Sequence, residues 1–490
     1  MLSIPEVQPE ETAHNYRFQI VKGHRPTIPQ HPSRAAHVDG PTTADGDRKD
    51  YGATERRTRI HHARRQNAAP LLLYRPSSPE ELLRTKTTNQ LHWLRLHESW
   101  FRYLPSRIGF YPAVDAAIEA FYKANAFAIV PGGGDVCLSS CLQSYSRAIR
   151  ALRQTMSTPK GARSGDALLA CALLAHGEGM IGIRSRESAP ASHSFSHLYG
   201  VQAIMVSRSS AREESDMARE IALWHSEVWL DALAAMGQPS PFEKSPTFDQ
   251  FESTVSSSSV HVVRLRALAH SIFVRMPRLI VYSKDLRTPA RSPGYSTVST
   301  VEVLTLLASE CLAIEDIVVE DALLHRVHVN RSMDSRVAAV IPYSFTFNNL
   351  ADFDAAIYYW QARLLIVRLC WHIGGHCSSF SKDSFSREGL RTVQNLLMSW
   401  QYGIREAAVC GMFRLFHALP ALWGALNDFG NPSKVSLPIL QSWLLQPANS
   451  FYEAVIGDVT PEVMDQAADV YIGGETSKDF MEPFKELTEP

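Results

Sequence analysis

Acidic side chains cluster in one segment of the sequence, at Glu315, Asp316, Glu320 and Asp321. Asp316 lies one helical turn from Glu320 and, within tolerance, from Asp321, so a helix would place these carboxylates on one face. Carboxylate oxygens are ligands that Mg²⁺ prefers in proteins. The spacing therefore predicts one candidate metal site, formed by Asp316, Glu320 and Asp321. A solvated acidic helix face is the other explanation for the same residues.

A magnesium site of this kind needs a second set of ligands on a neighbouring helix. All-helical prenyl-diphosphate enzymes use two such sets to hold the Mg²⁺ ions that bind the diphosphate leaving group. The second set is commonly Asn, Ser and Glu at four-residue steps, and Asn348 and Asp352 follow that spacing. Ala356 stands where the last carboxylate should be. An all-α, Mg²⁺-dependent enzyme of specialised metabolism, similar to terpene cyclases, is therefore an alternative function.

Histidines at two places have only part of a metal-binding pattern. His97 and Glu98 begin a zinc-protease motif, but Phe101 occupies the position where the second histidine is needed. His193 and His197 are spaced to chelate a metal if a helix has begun by then. The same two residues fit a loop that leads into a helix. We expect ordinary packing or surface roles at both places.

A third group combines cysteine and histidine near residue 375. Gly374 and Gly375 should end the preceding helix, so the four side chains would not share a face. The members are Cys370, His372, His376 and Cys377. Phosphate-binding glycine loops and the G-x-S-x-G nucleophile motif are absent from the sequence. No catalytic residue, metal site or cofactor is therefore predicted beyond the acidic alternative.

Composition limits the classes of function. The 490 residues are 45% hydrophobic and 20% charged, with a formal net charge of -1. Global charge therefore gives no argument for nucleic-acid or membrane binding, and the longest apolar run, at 167–177, is too short to span a membrane. The acidic N-terminus does not look like a secretory signal. Seven scattered cysteines suit reduced, buried thiols, so we expect a soluble intracellular protein.

Residues 1–77 differ from the rest because they are rich in Pro, His, Asp, Arg and Thr and lack apolar periodicity. We expect a mostly disordered N-terminal arm. It contains a basic cluster, RRTRIHHARR, whose arginines are Arg56, Arg57, Arg59, Arg64 and Arg65. Such a cluster is typical of a nuclear-import signal or of an arm that contacts phosphates. A solvated run of charge is the remaining explanation.

From residue 78 onward the apolar pattern is helical. One stripe, for example, runs at three- and four-residue steps through Leu142, Tyr145, Ile149, Leu152 and Met156. Convincing period-two segments are absent. The sequence therefore predicts an all-α fold, a large bundle or array of antiparallel helices without significant sheet, over 78–475. A serine-rich stretch at 239–259 is a candidate internal boundary, and 476–490 form a tail.

Five segments, taken in order, resemble the regulatory domain of fungal-specific transcription factors, the zinc binuclear cluster regulators. The resemblance rests on an aromatic pair of helices, a tyrosine-bearing Arg-rich helix, a small-residue helix that ends near Glu178, a segment with His197 and Gly200, and a late aromatic helix. The segments are 95–125, 142–156, 167–182, 194–209 and 342–371. Together they extend over roughly 78–460.

The resemblance implies an all-helical domain, a nuclear location and a role in RNA polymerase II transcription. The DNA-reading module of that family needs six cysteines around two zinc ions. This sequence has no cysteine before Cys137, so the six-cysteine cluster is missing. We therefore do not expect direct DNA binding. Three explanations fit this departure. The sequence is truncated, the regulator depends on a partner for DNA binding, or the domain has acquired a different function.

The sequence as a whole favours a transcription-factor-like regulatory protein of a fungus, acting on a metabolic or secondary-metabolite pathway. Its expected partners are other transcription regulators or a small-molecule effector, and its expected location is the nucleus, with the cytoplasm as alternative. We do not expect an enzyme, although the Mg²⁺-dependent cyclase stays open. A helical scaffold without chemistry is the third explanation.

Overall fold

The computed structural model describes residues 78–94, 100–129, 136–184, 192–209, 216–244, 260–287, 297–375, 380–405, 408–429, 436–452 and 459–475. The predicted arm 1–77 and the predicted tail 476–490 lie outside these residues, as does most of the candidate boundary at 239–259. Those three expectations stay predictions. All of the described residues belong to one compact unit.

The all-α prediction is confirmed, because 81% of the described residues are helical and the described part has one two-stranded sheet. The helices in chain order are α1 Pro79–Leu94, α2 Leu104–Arg107, α3 Pro112–Ile129, α4 Leu138–Met156, α5 Pro159–Ala162, α6 Gly165–Arg184, α7 Ser192–Ser209, α8 Asp216–Met236, α9 His261–Arg287, α10 Thr297–Leu312, α11 Ile317–Leu324, α12 Leu350–Ile373, α13 Lys382–Arg405, α14 Ala408–Phe429, α15 Ser436–Tyr452 and α16 Pro461–Val470. Short 3-10 helices span Trp100–Tyr103 and Pro241–Lys244. Within the described residues no helix is both long and apolar enough to cross a membrane.

The described residues form two large hydrophobic cores and two small satellite clusters. In the first core α6 packs against α3, α4, α7 and α8, and its residues 167–175 are all buried. Trp100 and Phe101 from the first 3-10 helix stack on each other and close this core beside Phe121. Helices α8 and α9 contact each other and contribute to both cores. The first half of the helical unit is therefore built on a helix of small residues that its neighbours can approach closely.

The buried face of α4 differs from the predicted stripe. Leu142 and Met156, which the sequence pattern placed on the buried face, are exposed to 46% and 38%. The face that packs against α3 and α6 is rotated and carries small side chains, namely Cys141, Ser144 and Ala148, together with Leu152. Small residues allow the helix axes to approach closely, and apolar periodicity does not detect them because they contribute little hydrophobicity.

Helix α12 is the centre of the second core. It contacts α9, α10, α11, α13 and α14, and nearly every side chain from Asp352 to Cys370 is buried. A helix surrounded on all sides needs no polar face, yet α12 buries the charged Arg363 and Arg368. Asn349 caps its first turn by accepting a hydrogen bond of 2.8 Å from the Asp352 backbone N–H.

A β-hairpin precedes α12, and the sequence analysis did not predict it. β1 (His328–Arg331) and β2 (Tyr343–Thr346) pair antiparallel, with His328 opposite Thr346 and Arg331 opposite Tyr343. All four residues of β1 are exposed, so the strand has no alternation of buried and exposed side chains for a pattern to detect. β2 packs against α13.

Candidate functional site

Two of the three carboxylates of the predicted magnesium site have other partners. Asp316 caps α11, accepting from the Val319 backbone N–H at 3.1 Å, and forms an ion pair of 2.5 Å with Arg264. Glu320 is buried, where it accepts hydrogen bonds from Trp360 Nε1 at 2.8 Å and from Arg391 at 2.7 Å. Asp321 is exposed. Asp316 and Glu320 therefore bind different partners and Asp321 lies at the surface, which fits a structural role for the first two.

The second predicted ligand set is also dispersed. Asp352 is buried between Arg326 at 3.1 Å and His261 at 3.1 Å, while Asn348 is exposed. Ala356 lies in the second core. Within the part of the chain that the structure describes, no group of three or more His, Cys, Asp and Glu side chains is arranged to hold a metal ion.

The remaining motif residues are found in separate places. His97 and Glu98 lie outside the described residues, as do the five arginines of the basic cluster and both His376 and Cys377. Cys370 is a buried free thiol, and His372 contacts Asp428 Oδ2 at 3.0 Å. Helix α7 begins at Ser192, so His193 and His197 both belong to it.

A partly buried polar cluster forms where α4, α6 and α7 meet. Tyr145 of α4 and His197 of α7 are joined by a hydrogen bond of 2.5 Å between Tyr145 Oη and His197 Nε2. Their rings meet edge to face with 5.7 Å between the centroids. Glu178 of α6 completes the cluster, with its Oε2 3.9 Å from His197 Nε2. We call these three residues the Tyr–Glu–His cluster.

The backbone around the cluster explains why α7 lies so close to α6. The Cys171 thiol of α6 donates a hydrogen bond of 3.3 Å to the carbonyl oxygen of His197. One turn later on α7, a Cβ atom at Gly200 would come within 2.8 Å of the Cys171 sulfur. Glycine at position 200 therefore permits the approach of the two helices, which in turn holds the His197 ring beside Tyr145 and Glu178.

Burial sets the electrostatics of the cluster. It raises the pKa of Glu178 to about 7, with a smaller opposing contribution from the Tyr145 hydroxyl. Burial and the neighbouring Glu178 carboxylate also raise the pKa of the Tyr145 phenol well above its usual range. The phenol stays neutral at physiological pH, while the Glu178 carboxyl titrates near neutrality. The hydrogen bond between Tyr145 and His197 suits the positioning of the helices, whereas Glu178 Oε2 is buried without a hydrogen-bond partner among the described residues.

Replacing Glu178 with glutamine tests this titration. A carboxyl whose folded-state pKa is about 7, above its ordinary 4.5, contributes stability that is full below about pH 4.5 and is lost as pH rises through 7. The stability of Glu178→Gln relative to the unmodified protein should therefore increase between pH 4.5 and 7.5, by about 3 kcal/mol at most. Urea unfolding at a series of pH values measures this difference.

The control for that series is Glu462→Gln on α16. A hydrogen bond from the Thr460 hydroxyl lowers the pKa of Glu462, so this variant should change relative stability only below about pH 4.5. A stability difference for Glu178→Gln that stays flat between pH 4.5 and 7.5 would show that Glu178 ionises at its ordinary pKa.

Three of the segments that carry the family resemblance thus contribute one side chain each to the Tyr–Glu–His cluster. Comparisons of the chain with protein-family profiles, with curated proteins and with solved structures found no match. The sequence analysis singled out Glu178, His197 and Gly200 as markers of separate segments. It did not predict that Tyr145, Glu178 and His197 would meet, and it missed Cys171, whose only sequence signal is its position in a run of small residues.

Proposed function

We propose that this chain is a transcription-factor-like regulatory protein whose helical body contacts other transcription regulators or a small-molecule effector. The observation that supports the proposal is the convergence of Tyr145, Glu178 and His197 in one cluster. Each residue comes from a different segment of the resemblance. Segments that resembled a family by chance would have no structural reason to place one polar side chain each in the same cluster.

The contacts of the candidate metal ligands and of the Tyr–Glu–His cluster support a regulatory domain more than an enzyme active site. Three of the four carboxylates that an Mg²⁺-dependent cyclase would use are engaged with Arg264, Arg391 and Arg326. The Tyr–Glu–His cluster links three helices and satisfies its own polar groups in part. Under this proposal the protein acts in the nucleus of a fungal cell, on a metabolic or secondary-metabolite pathway, and reaches DNA through another protein.

A tethered reporter assay tests the proposal. The full chain is fused to a heterologous DNA-binding domain in a fungal host, and transcription from a promoter carrying the matching sites is measured. We expect a several-fold change relative to the DNA-binding domain alone. Unchanged transcription from a fusion that accumulates in the nucleus as a folded protein would contradict the proposal.

Two matched glycine variants connect the assay to the structure. Gly200→Ala would push the Cys171 sulfur away and separate α6 from α7, so we expect it to reduce the effect on transcription. Gly179→Ala is the control, because Gly179 is exposed on α6, the helix of Cys171, and a Cβ there would meet no atom within 4 Å. Equal reporter transcription from the two variants would show that the regulatory activity does not depend on the Tyr–Glu–His cluster.

Nuclear import is expected to depend on the basic cluster RRTRIHHARR. Changing its five arginines to alanine should abolish nuclear accumulation of a fluorescently labelled full chain, because importin-type recognition needs the clustered positive charge. The variant carries Ala at positions 56, 57, 59, 64 and 65. A matched control changes five arginines spread over exposed helix positions. Unchanged nuclear entry of the first variant would remove this role from the arm.

A further inference from the structure

A cavity opens between the hairpin connection, the end of α13 and α15. Its volume is about 340 Å³, which lies within the range of small-molecule sites. Asp334 and Arg336 from the segment between β1 and β2 line one side. The other lining residues are Gln401, Ile404, Arg405, Trp443, Gln446 and Pro447. Polar groups and an apolar wall thus face the same space, as is typical of sites that orient a ligand.

Asp334 holds one side of this cavity in place. Its carboxylate accepts hydrogen bonds from Arg336 Nη2 at 2.6 Å and Nε at 2.9 Å, and from Trp443 Nε1 at 3.0 Å. This bidentate pair neutralises the charge of both Asp334 and Arg336. The bond to the indole also fixes the orientation of Trp443, whose side chain is otherwise buried. The arrangement therefore exists before any ligand arrives.

Arg405 is the charged residue of the cavity lining that this pair does not neutralise. Its Nη1 lies 3.3 Å from the sulfur of Met333, a neutral and weak acceptor, and no carboxylate among the described residues pairs with it. Gln401 is already engaged, since its amide donates to Ser332 Oγ at 2.7 Å and accepts from the Met333 backbone N–H at 3.3 Å. The cavity lining therefore has a net charge of one positive unit, at Arg405.

We propose that this cavity binds a small organic carboxylate, with the carboxylate on the Arg405 guanidinium and the apolar body against Trp443, Ile404 and Pro447. A guanidinium presents parallel N–H groups that match a carboxylate in a bidentate pair. The exposed Met333 side chain gives way to the ligand, because its contact with Arg405 is weaker than a charge-assisted bond. The site lies apart from the Tyr–Glu–His cluster and does not rest on the proposed regulatory function.

Calorimetric titration of the purified full chain with phenylacetate and with phenylacetamide tests the ligand class. The two probes have the same ring and nearly the same shape, and they differ in charge. We expect phenylacetate to bind and phenylacetamide to bind at least about tenfold more weakly, because a hydrogen-bonded charge pair is lost. Equal affinity for acid and amide, or no binding of phenylacetate, would overturn the proposal.

Three variants locate the site. Arg405→Gln should weaken phenylacetate binding about tenfold or more, and Arg405→Lys should restore only part of it because lysine lacks the planar fork. Arg387→Gln is the matched control, since it removes one exposed arginine near the other end of the same helix. Circular dichroism confirms that each variant is folded. Binding that survives Arg405→Gln, or that Arg387→Gln weakens equally, would contradict the assignment.

Discussion

Replacing Asp428 with alanine is expected to lower the free energy of unfolding by about 3–5 kcal/mol, one of the two largest effects in this protein. Asp428 of α14 accepts a hydrogen bond of 2.7 Å from Arg368 Nε, and only 3% of the Arg368 side chain is exposed. Removing the carboxylate would leave a guanidinium buried in the second core. Its remaining bond, to the Ala468 carbonyl at 3.0 Å, does not neutralise its charge.

The helix that carries Asp428 is shaped around this pair. Gly424 lies one turn earlier on α14, and any side chain there would overlap the Arg368 guanidinium. Glycine thus leaves the path along which Arg368 crosses α14 to reach Asp428. The packing of α12 against α14 at this point therefore depends on a glycine that makes room for the Arg368–Asp428 ion pair.

An exposed ion pair provides the control. Arg287 and Asp469 are 39% and 40% exposed, so Asp469→Ala should cost about 1 kcal/mol or less. Combining Asp428→Leu with Arg368→Met, which removes both buried charges, should recover part of the loss seen in Asp428→Ala. Equal losses for Asp428→Ala and Asp469→Ala in urea unfolding would contradict the burial argument.

Acidification from pH 6.5 to pH 4 is expected to destabilise the chain strongly through buried neutral histidines. Burial lowers the pKa of His225 to about 4 and that of His270 to about 3, and both rings are nearly inaccessible to solvent. His176 behaves similarly, with burial lowering its pKa to about 3, although the residue is partly exposed. The unfolded chain binds protons at these positions near pH 6.5, before the folded chain does.

The direction of the stability change and the pH range over which it occurs follow from these pKa values. A group whose folded-state pKa is lowered contributes stability that is full above about pH 6.5 and is lost as pH falls toward 4. His225 alone accounts for roughly 3 kcal/mol over this range. Glu178 acts in the opposite direction, so the histidines should dominate the overall slope.

Asparagine variants isolate the histidine contribution. His225→Asn and His270→Asn remove the titrating group and should flatten the dependence of unfolding free energy on pH between 6.5 and 4. His328→Asn, at an exposed position of β1, controls for the loss of an imidazole as such. If the free energy of unfolding of both variants fell as steeply between pH 6.5 and pH 4 as that of the unmodified protein, the two histidines would be protonated in the folded protein over this range.

Fold class could be predicted from the sequence because helical periodicity depends on local side-chain pattern. The details that the sequence pattern did not predict depend on which helices pack against each other. The buried face of α4 is made of Cys141, Ser144 and Ala148, residues that a hydrophobicity pattern overlooks. The burial of Arg368 has no local signal in the sequence, because charged side chains are rarely buried without a partner and its partner Asp428 is 60 residues away.

The candidate site could be predicted only in pieces. Glu178 and His197 stood out as members of resembling segments, but their meeting with Tyr145 depends on the crossing of three helices. That crossing requires the close approach of Gly200 to Cys171, which no local pattern encodes. The acidic cluster shows the opposite case, since Asp316 and Glu320 had a suggestive spacing and the structure gives each its own cationic partner. Spacing along a helix limits which residues share a face, and packing decides what they meet.

The central claim is that Tyr145, Glu178 and His197 act as one coupled cluster that joins three segments of the chain. A double-mutant cycle on unfolding free energy with Tyr145→Phe and His197→Leu measures this coupling directly. We predict an interaction energy of about 1 kcal/mol or more, because the two side chains share a short, partly buried hydrogen bond. The matched cycle of Tyr145→Phe with Ser399→Ala, a buried residue of the second half on α13, should be additive. Additive losses in the first cycle would contradict the account.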